Sequence, residues 1–238
     1  MLAVTWPGMG DTSLPTVSSD SATPYWDYIL AALKNLIEDE RIENPILIGH
    51  SAAGPYVINF LHDYPELVAG AVSIDATITN KDTLGYSRIQ RIAWAEKDMA
   101  EVRADLDSDE AWRNFNERSA GSLGDRAQFY IDMWLTPPRE HVFSYWLDWL
   151  KTDAGKMVSS IEKPLLSVFA IRASVQDPAA FQREKKKRFE ANNASDKIEL
   201  AYIMPSGHTI WEYQPEAFDD LIEMFTNKIA ETIDDEEN

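Results

Sequence analysis

After Pro45 a run of branched apolar residues, Ile46-Leu47-Ile48, goes straight into Gly49-His50-Ser51-Ala52-Ala53-Gly54, and a helical pattern starts with no connecting loop. The short apolar run reads as a strand buried on both faces. Val57, Ile58 and Leu61 then recur at helical spacing from about Ala53 to Tyr64. A strand that turns directly into a helix has little room at the turn. Side chains two positions before and two after the apex would crowd it, which accounts for Gly49 and the small Ala53. The apex residue, Ser51, is left projecting at the carboxyl end of the strand with the helix N-terminus beneath it. The N–H of Ala52 then points where an oxyanion would form.

The rest of the chain repeats the alternation. Leu2 to Trp6 reads as a short buried strand stopped by Pro7-Gly8. Thr23-Pro24 sets a helix start, and Ile29, Ala32, Leu33, Leu36 and Ile37 keep one apolar face. Ala71–Ile74 is the next strand. From about Thr79 to Ser160 no strand is expected, only helical stretches rich in charge and tryptophan, including Trp94, Trp112, Trp134, Trp146 and Trp149. Alternation resumes with a strand over Leu165–Phe169, a charged helix around Phe181 to Asn192, a strand over Leu200–Ile203 and an amphipathic helix from Pro215 to about Ile229. The expected fold is α/β, a mostly parallel sheet flanked by helices and carrying a helical insertion. The expected divisions are 1–78 and 161–238 for the core and 79–160 for the insertion.

A second feature lies near the other end of the chain. Met204-Pro205-Ser206-Gly207-His208 closes a strand and presents a histidine just before the last helices. Together, Gly49-His50-Ser51-Ala52-Ala53 and the late His208 resemble the α/β-hydrolase family, whose nucleophile turn usually reads Gly-x-Ser-x-Gly and whose serine precedes its histidine. Ala53 departs from that pattern by one methyl. The resemblance implies that Ser51 is the nucleophile, His208 the base and the Ala52 N–H an oxyanion donor. It places the acid after the Leu165–Ile171 strand, where the only carboxylate is Asp177. The alternative is Asp75, at the end of the preceding strand. The acid's task is to accept the imidazole N–H and stabilise the imidazolium.

The resemblance also implies eight strands and a second oxyanion donor from a loop after the third. Val4 to Ser13 resembles the family's fourth strand and the loop after it, so the core is expected to be N-terminally shortened, with the Trp6–Met9 turn as another source of that donor. The insertion is expected to be the family's cap, its tryptophans serving as cap core, as pocket lining, or as both. A shortened sheet leaves an uncovered edge, and either a homo-oligomer formed through that edge or marginal stability is expected.

Composition excludes other classes. The 238 residues carry 40 Asp+Glu against 22 Lys+Arg, a formal net charge of −18, so phosphate backbones and anionic membrane surfaces are poor partners. Zero cysteines remove disulfides, zinc–thiolate sites and thiol catalysis, and suit a cytoplasmic location. No segment has the roughly 18–20 continuous apolar residues of a membrane span, and the N-terminus does not read as a signal peptide. The other histidines, His50, His62 and His141, show no metal-ligand spacing.

The expected activity is therefore cofactor-free serine hydrolysis of carboxylic esters, on a small-molecule substrate with a hydrophobic acyl or aryl group. An amide or proline-iminopeptidase-type substrate, and acyl transfer to an alcohol, use the same chemistry. The rival is a non-catalytic binding protein without a complete oxyanion hole. Epoxide hydrolase and dehalogenase relatives are disfavoured, since they use aspartate where this chain has Ser51. Ser51 Oγ and a His208 ring nitrogen are expected within about 3.5 Å.

Overall fold

The computed structural model describes residues 1–9, 12–17, 21–78, 85–120 and 126–236. The chain divides into two compact units, Met1–Ala32 with Lys81–Thr152, and Leu33–Asn80 with Asp153–Asn238. The boundary falls inside helix α1 (Pro24–Asp39).

The second unit holds the sheet. Among the described residues its four strands, β1 (Ile46–His50), β2 (Gly70–Ile74), β3 (Leu165–Ala170) and β4 (Ile198–Ile203), are all parallel and lie in the order β1-β2-β3-β4. The two inner strands are buried at every position, as near-continuous apolar runs require when both faces are covered. One face presents Val72, Ile74, Leu166, Val168 and Ala170. Against it pack Phe225 and Ile229 of helix α9 (Pro215–Glu236), four residues apart on one helical face, with Phe218, Leu221 and Ile222 at its margin. Burying each such side chain contributes about 1.5–3 kcal/mol. Helix α2 (Ala53–Asp63) follows β1 directly and is buried from Gly54 to Leu61. Helix α7 (Pro178–Ala191) places Phe189 6.3 Å from the ring of Phe169.

β1 is an edge strand, and its Ile48 is 50 % exposed. Ser51 N donates to Ile74 O at 2.9 Å and Ala69 N donates to Pro45 O at 3.0 Å, so the odd-numbered residues of this segment face β2. The N–H and C=O groups of Ile46, Ile48 and His50 therefore face away from it, because a parallel ladder alternates.

The first unit is helical. Helices α3 (Arg88–Asp105), α4 (Asp109–Ala120), α5 (Ala127–Leu135) and α6 (Arg139–Lys151) account for most of it, and no strand occurs among its described residues. A reciprocal cap starts α3: Ser87 Oγ accepts from Gln90 N and Gln90 Oε1 accepts from Ser87 N. Met99, Leu106, Trp112 and Phe143 form a core of the unit's own. The Trp112 ring lies 5.8 Å from Phe115, 5.6 Å from Phe143 and 6.1 Å from Trp146.

Three expectations are corrected here. Leu2–Trp6 is not a strand: it has no ladder partner among the described residues, and Leu2 and Val4 are exposed. What anchors this segment is side-chain contact. Tyr145 OH donates to Pro7 O, His141 Nδ1 lies 3.0 Å from Gly8 O, and the Trp6 and Tyr145 rings meet edge-on at 5.2 Å. For the same reason residues 1–32 group with the helical insertion rather than with the first part of the core. The insertion ends near Thr152 rather than 160, and two short 3₁₀ turns, Ala154–Lys156 and Val158–Ser160, belong with the sheet.

Asp148 is another anchor in the helical unit. It is only 2 % exposed, and its Oδ2 accepts from Tyr25 N at 2.7 Å and Trp26 N at 3.0 Å, capping the start of α1. Burial pushes its carboxyl up from 3.8 to about 6, outweighing those two N–H donors and the Lys151 ammonium. A raised folded-state value means that the folded chain holds this proton over a pH range where the unfolded chain has lost it. The contribution is thus complete below about 3.8 and lost as pH rises through about 6. Between pH 3.8 and 7 wild type should lose about 3 kcal/mol that Asp148→Asn does not lose. Urea unfolding of both proteins across that range checks it; parallel pH profiles would contradict it.

Candidate active site

The turn between β1 and α2 is built as the residues require. Ser51 sits at φ +55°, a left-handed conformation that a side chain rarely adopts without compensation. Ser51 N continues the ladder to Ile74 O, and Gly54 N closes the turn on Ser51 O at 3.0 Å. A Cβ on Gly49 would lie 2.4 Å from Ala53 O, so glycine is obligatory there. Ala53 fits as the first residue of α2. The second close approach falls one residue later, at Gly54, where a Cβ would lie 2.3 Å from Ala76 Cβ and 2.6 Å from Ser73 Oγ. This explains why the Ala53 departure is accommodated. Gly49→Ala should cost about 1–3 kcal/mol by overpacking, read as a lowered denaturation midpoint. Ala53→Gly should leave the turn geometry intact.

At the end of β2 the chain makes a second positive-φ step at Asp75, φ +43°. Both carboxylate oxygens are engaged. Oδ1 accepts from Ala170 N at 3.1 Å, and Oδ2 lies 2.7 Å from His208 Nδ1, which donates to it. Asp75 N in turn donates to Val168 O at 2.7 Å, so the residue is held at the β2–β3 seam. His208 stands on the Met204–Thr209 segment after β4. Ser206 N donates to Ile171 O there at 2.8 Å, and Gln214 Nε2 donates to Pro205 O at 2.8 Å. Helix α8 (Ile210–Tyr213) follows and buries Ile210 in the core. The His208 side chain is 44 % exposed, open to a reactant.

The expected acid, Asp177, is elsewhere. Its Oδ1 accepts from Ala180 N at 2.8 Å as the N-cap of α7, its Oδ2 lies 3.6 Å from Arg183, and its side chain is 63 % exposed. The structure thus brings Asp75 to the histidine in place of Asp177. The local signal was in the sequence: Asp177 precedes Pro178, and Asp followed by Pro is how helices start. That cap also starts α7 three residues before the expected Phe181.

His50, next to Ser51 in the chain, joins the site although its sequence position gives it no expected role. Its ring centroid is 4.4 Å from that of His208 and 4.7 Å from that of Trp211, and its Nε2 lies 2.9 Å from the His208 carbonyl oxygen. Burial, and then the charge of His208, pull its pKa down to about 4, against the opposing pull of that hydrogen bond and of Asp75. No sequence pattern links positions 50 and 208.

The His208 ring therefore packs on the residue next to Ser51, yet Ser51 Oγ and His208 Nε2 form no hydrogen bond, and neither has another partner among the described residues. Catalytic hydrogen bonds are often long in resting sites and tighten with substrate. The Ala52 N–H is likewise without an acceptor among the described residues, at the N-terminus of α2. Among those residues no cluster of three or more His, Asp or Glu is placed to hold a metal ion.

A parallel sheet carries, at the carboxyl ends of its strands, a serine at a strained strand–helix turn and a carboxylate–histidine pair. The sequence model of the Alpha/beta hydrolase family matches residues 1–221, insertion included, and the chain belongs to that family. No curated protein sequence matches the chain. Among solved structures it is similar to a bromoperoxidase from Bacillus anthracis, with TM-score 0.68, 17 % identity and coverage of 93 % of this chain and 79 % of that one. It is also similar to MenH from S. aureus, with TM-score 0.66, 16 % identity and coverage of 95 % and 83 %. A third is an esterase from Exiguobacterium antarcticum, with TM-score 0.64, 15 % identity and coverage of 93 % and 79 %. At these identities the likeness is one of fold. Among the described residues no helix is long and apolar enough to cross a membrane.

Proposed function

We propose that the chain is a serine hydrolase that cleaves carboxylic esters of small molecules with a hydrophobic acyl or aryl group. The observation that carries this reading is the 2.7 Å Asp75–His208 pair, whose imidazole packs on His50, the chain neighbour of the positive-φ Ser51. In this scheme Asp75 holds His208 with Nδ1 protonated, which leaves Nε2 as the base. His208 takes the Ser51 proton as Oγ attacks the ester carbonyl, and the oxyanion accepts the Ala52 N–H at the positive end of α2. His208 then returns the proton to the departing alcohol. Water, activated by the same nitrogen, releases the acid from the acyl-serine. Every step runs on this chain's own groups. The esterase among the similar structures fits the reading.

Active-site titration tests it. A fluorophosphonate should bind one equivalent per chain, at Ser51 by peptide mass spectrometry, and turnover of a short-chain p-nitrophenyl ester should disappear in parallel. Prolyl and other amide substrates run alongside would redirect the substrate class if they are cleaved faster. A chain that neither reacts with the reagent nor turns over any ester or amide is a binding protein, and the proposal fails.

A further inference from the structure

His50 has no task in the chemistry just proposed, yet from the end of β1 it makes a hydrogen bond to the His208 main chain. A carbonyl oxygen only accepts, so the 2.9 Å contact requires that His50 Nε2 carry the proton and donate to His208 O. The ring is seated by two aromatic neighbours, His208 tilted at 45° and Trp211 edge-on at 82°. Trp211 is itself 6.0 Å from Phe218 of α9, so the stack is tied to the sheet core. His208 is thus held at two points, the ring by Asp75 and the main chain by His50.

We propose that His50 is a positioning residue: by donating Nε2–H to the His208 carbonyl it fixes the backbone of the catalytic histidine, so that the Nε2 of that ring swings toward Ser51 from one defined pivot. The inference rests on the serine-hydrolase reading for its kinetic consequence, though not for its structural one. Its low pKa supports the assignment, because at neutral pH His50 stays uncharged and puts no second cation against His208 when that ring takes a proton. Displacing a reacting group by about 1 Å costs on the order of 100-fold in rate, and this is the scale on which one anchoring bond acts.

Three variants separate the donor from the ring. His50→Gln keeps an N–H near the place of Nε2, His50→Phe keeps a ring without a donor, and His50→Asn is too short to reach. On one p-nitrophenyl ester, Gln should stay within about threefold of wild-type kcat, while Phe and Asn fall about 10- to 100-fold with KM within about twofold. With 15N-histidine labelling, the downfield Nδ1 proton of His208 should persist in wild type and Gln and broaden in Phe and Asn. Wild-type kcat and an unchanged His208 signal in Phe and Asn would overturn the proposal, as would a Gln variant as impaired as Phe. If wild type turns over no ester and Ser51 resists the fluorophosphonate, the hydrolase reading falls, and the His208 signal in the same variants still decides whether His50 holds that residue.

Discussion

Ser51→Ala is expected to lower ester turnover at least about 10⁴-fold while leaving KM within a small factor, since it removes a group that matters only once the carbonyl is attacked. The loss should be chemical rather than structural. Ser51 Oγ makes no hydrogen bond among the described residues, so its removal strands no partner. Alanine at φ +55° carries a backbone strain similar to that of serine. Thermal unfolding of the variant should therefore match wild type. The residual rate should come from the Ala52 N–H and substrate binding, which the substitution leaves in place. Since serine and histidine act as one unit, His208→Ala should cost about as much alone, and the double variant little more. Undiminished turnover in Ser51→Ala, with contamination excluded, would remove the mechanism.

The second large effect separates two aspartates. Asp75→Asn should lower kcat by about 10⁴, and the hydrogen-bond pattern says why. Ala170 N is a donor, so the asparagine oxygen must take the place of Oδ1 and its NH₂ group must face His208. The imidazole then presents Nδ1 as acceptor and carries its proton on Nε2, the wrong tautomer for a base. Asp177→Asn should leave kcat within about twofold, because asparagine caps a helix about as well as aspartate and, among the described residues, the Asp177 carboxylate meets Ala180 N and Arg183 and not His208. Ester kinetics on the two variants, with unfolding midpoints as control, give the answer. Equal loss in both, or loss only in Asp177→Asn, would move the acid back to the loop after β3.

The helical unit has the same tension between local pattern and site. Its tryptophans are open to two readings, cap core and pocket lining, and Trp112 takes the first, stacked on Phe115 and edge-on to Phe143 and Trp146 in that unit's own interior. A small helical unit needs most of its large apolar side chains for its own core.

What residue patterning settles here is local. Ile46–Ile48 running into Gly49 and Ser51 specifies a strand, a glycine-bound turn and a helix within one stretch of chain, and the structure builds all three. The face of α9 is legible for the same reason, since Phe218, Leu221, Phe225 and Ile229 repeat at helical spacing whatever lies opposite. Leu2–Trp6 was not legible, because a strand exists only with a partner, and that segment is held instead by Tyr145 and His141 from far along the chain. Asp75 and Asp177 look alike as letters at strand ends. Which one meets His208 depends on the β2–β3 register and the path of the Met204–Thr209 segment, both set by contacts between distant positions. His50 ends and His208 follows strands at opposite edges of the sheet, and only the path of the Met204–Thr209 segment brings them together. Short-range periodicity and turn sterics act within a few residues and can be read from the letters. The distances between side chains more than a hundred positions apart arise only when the core closes.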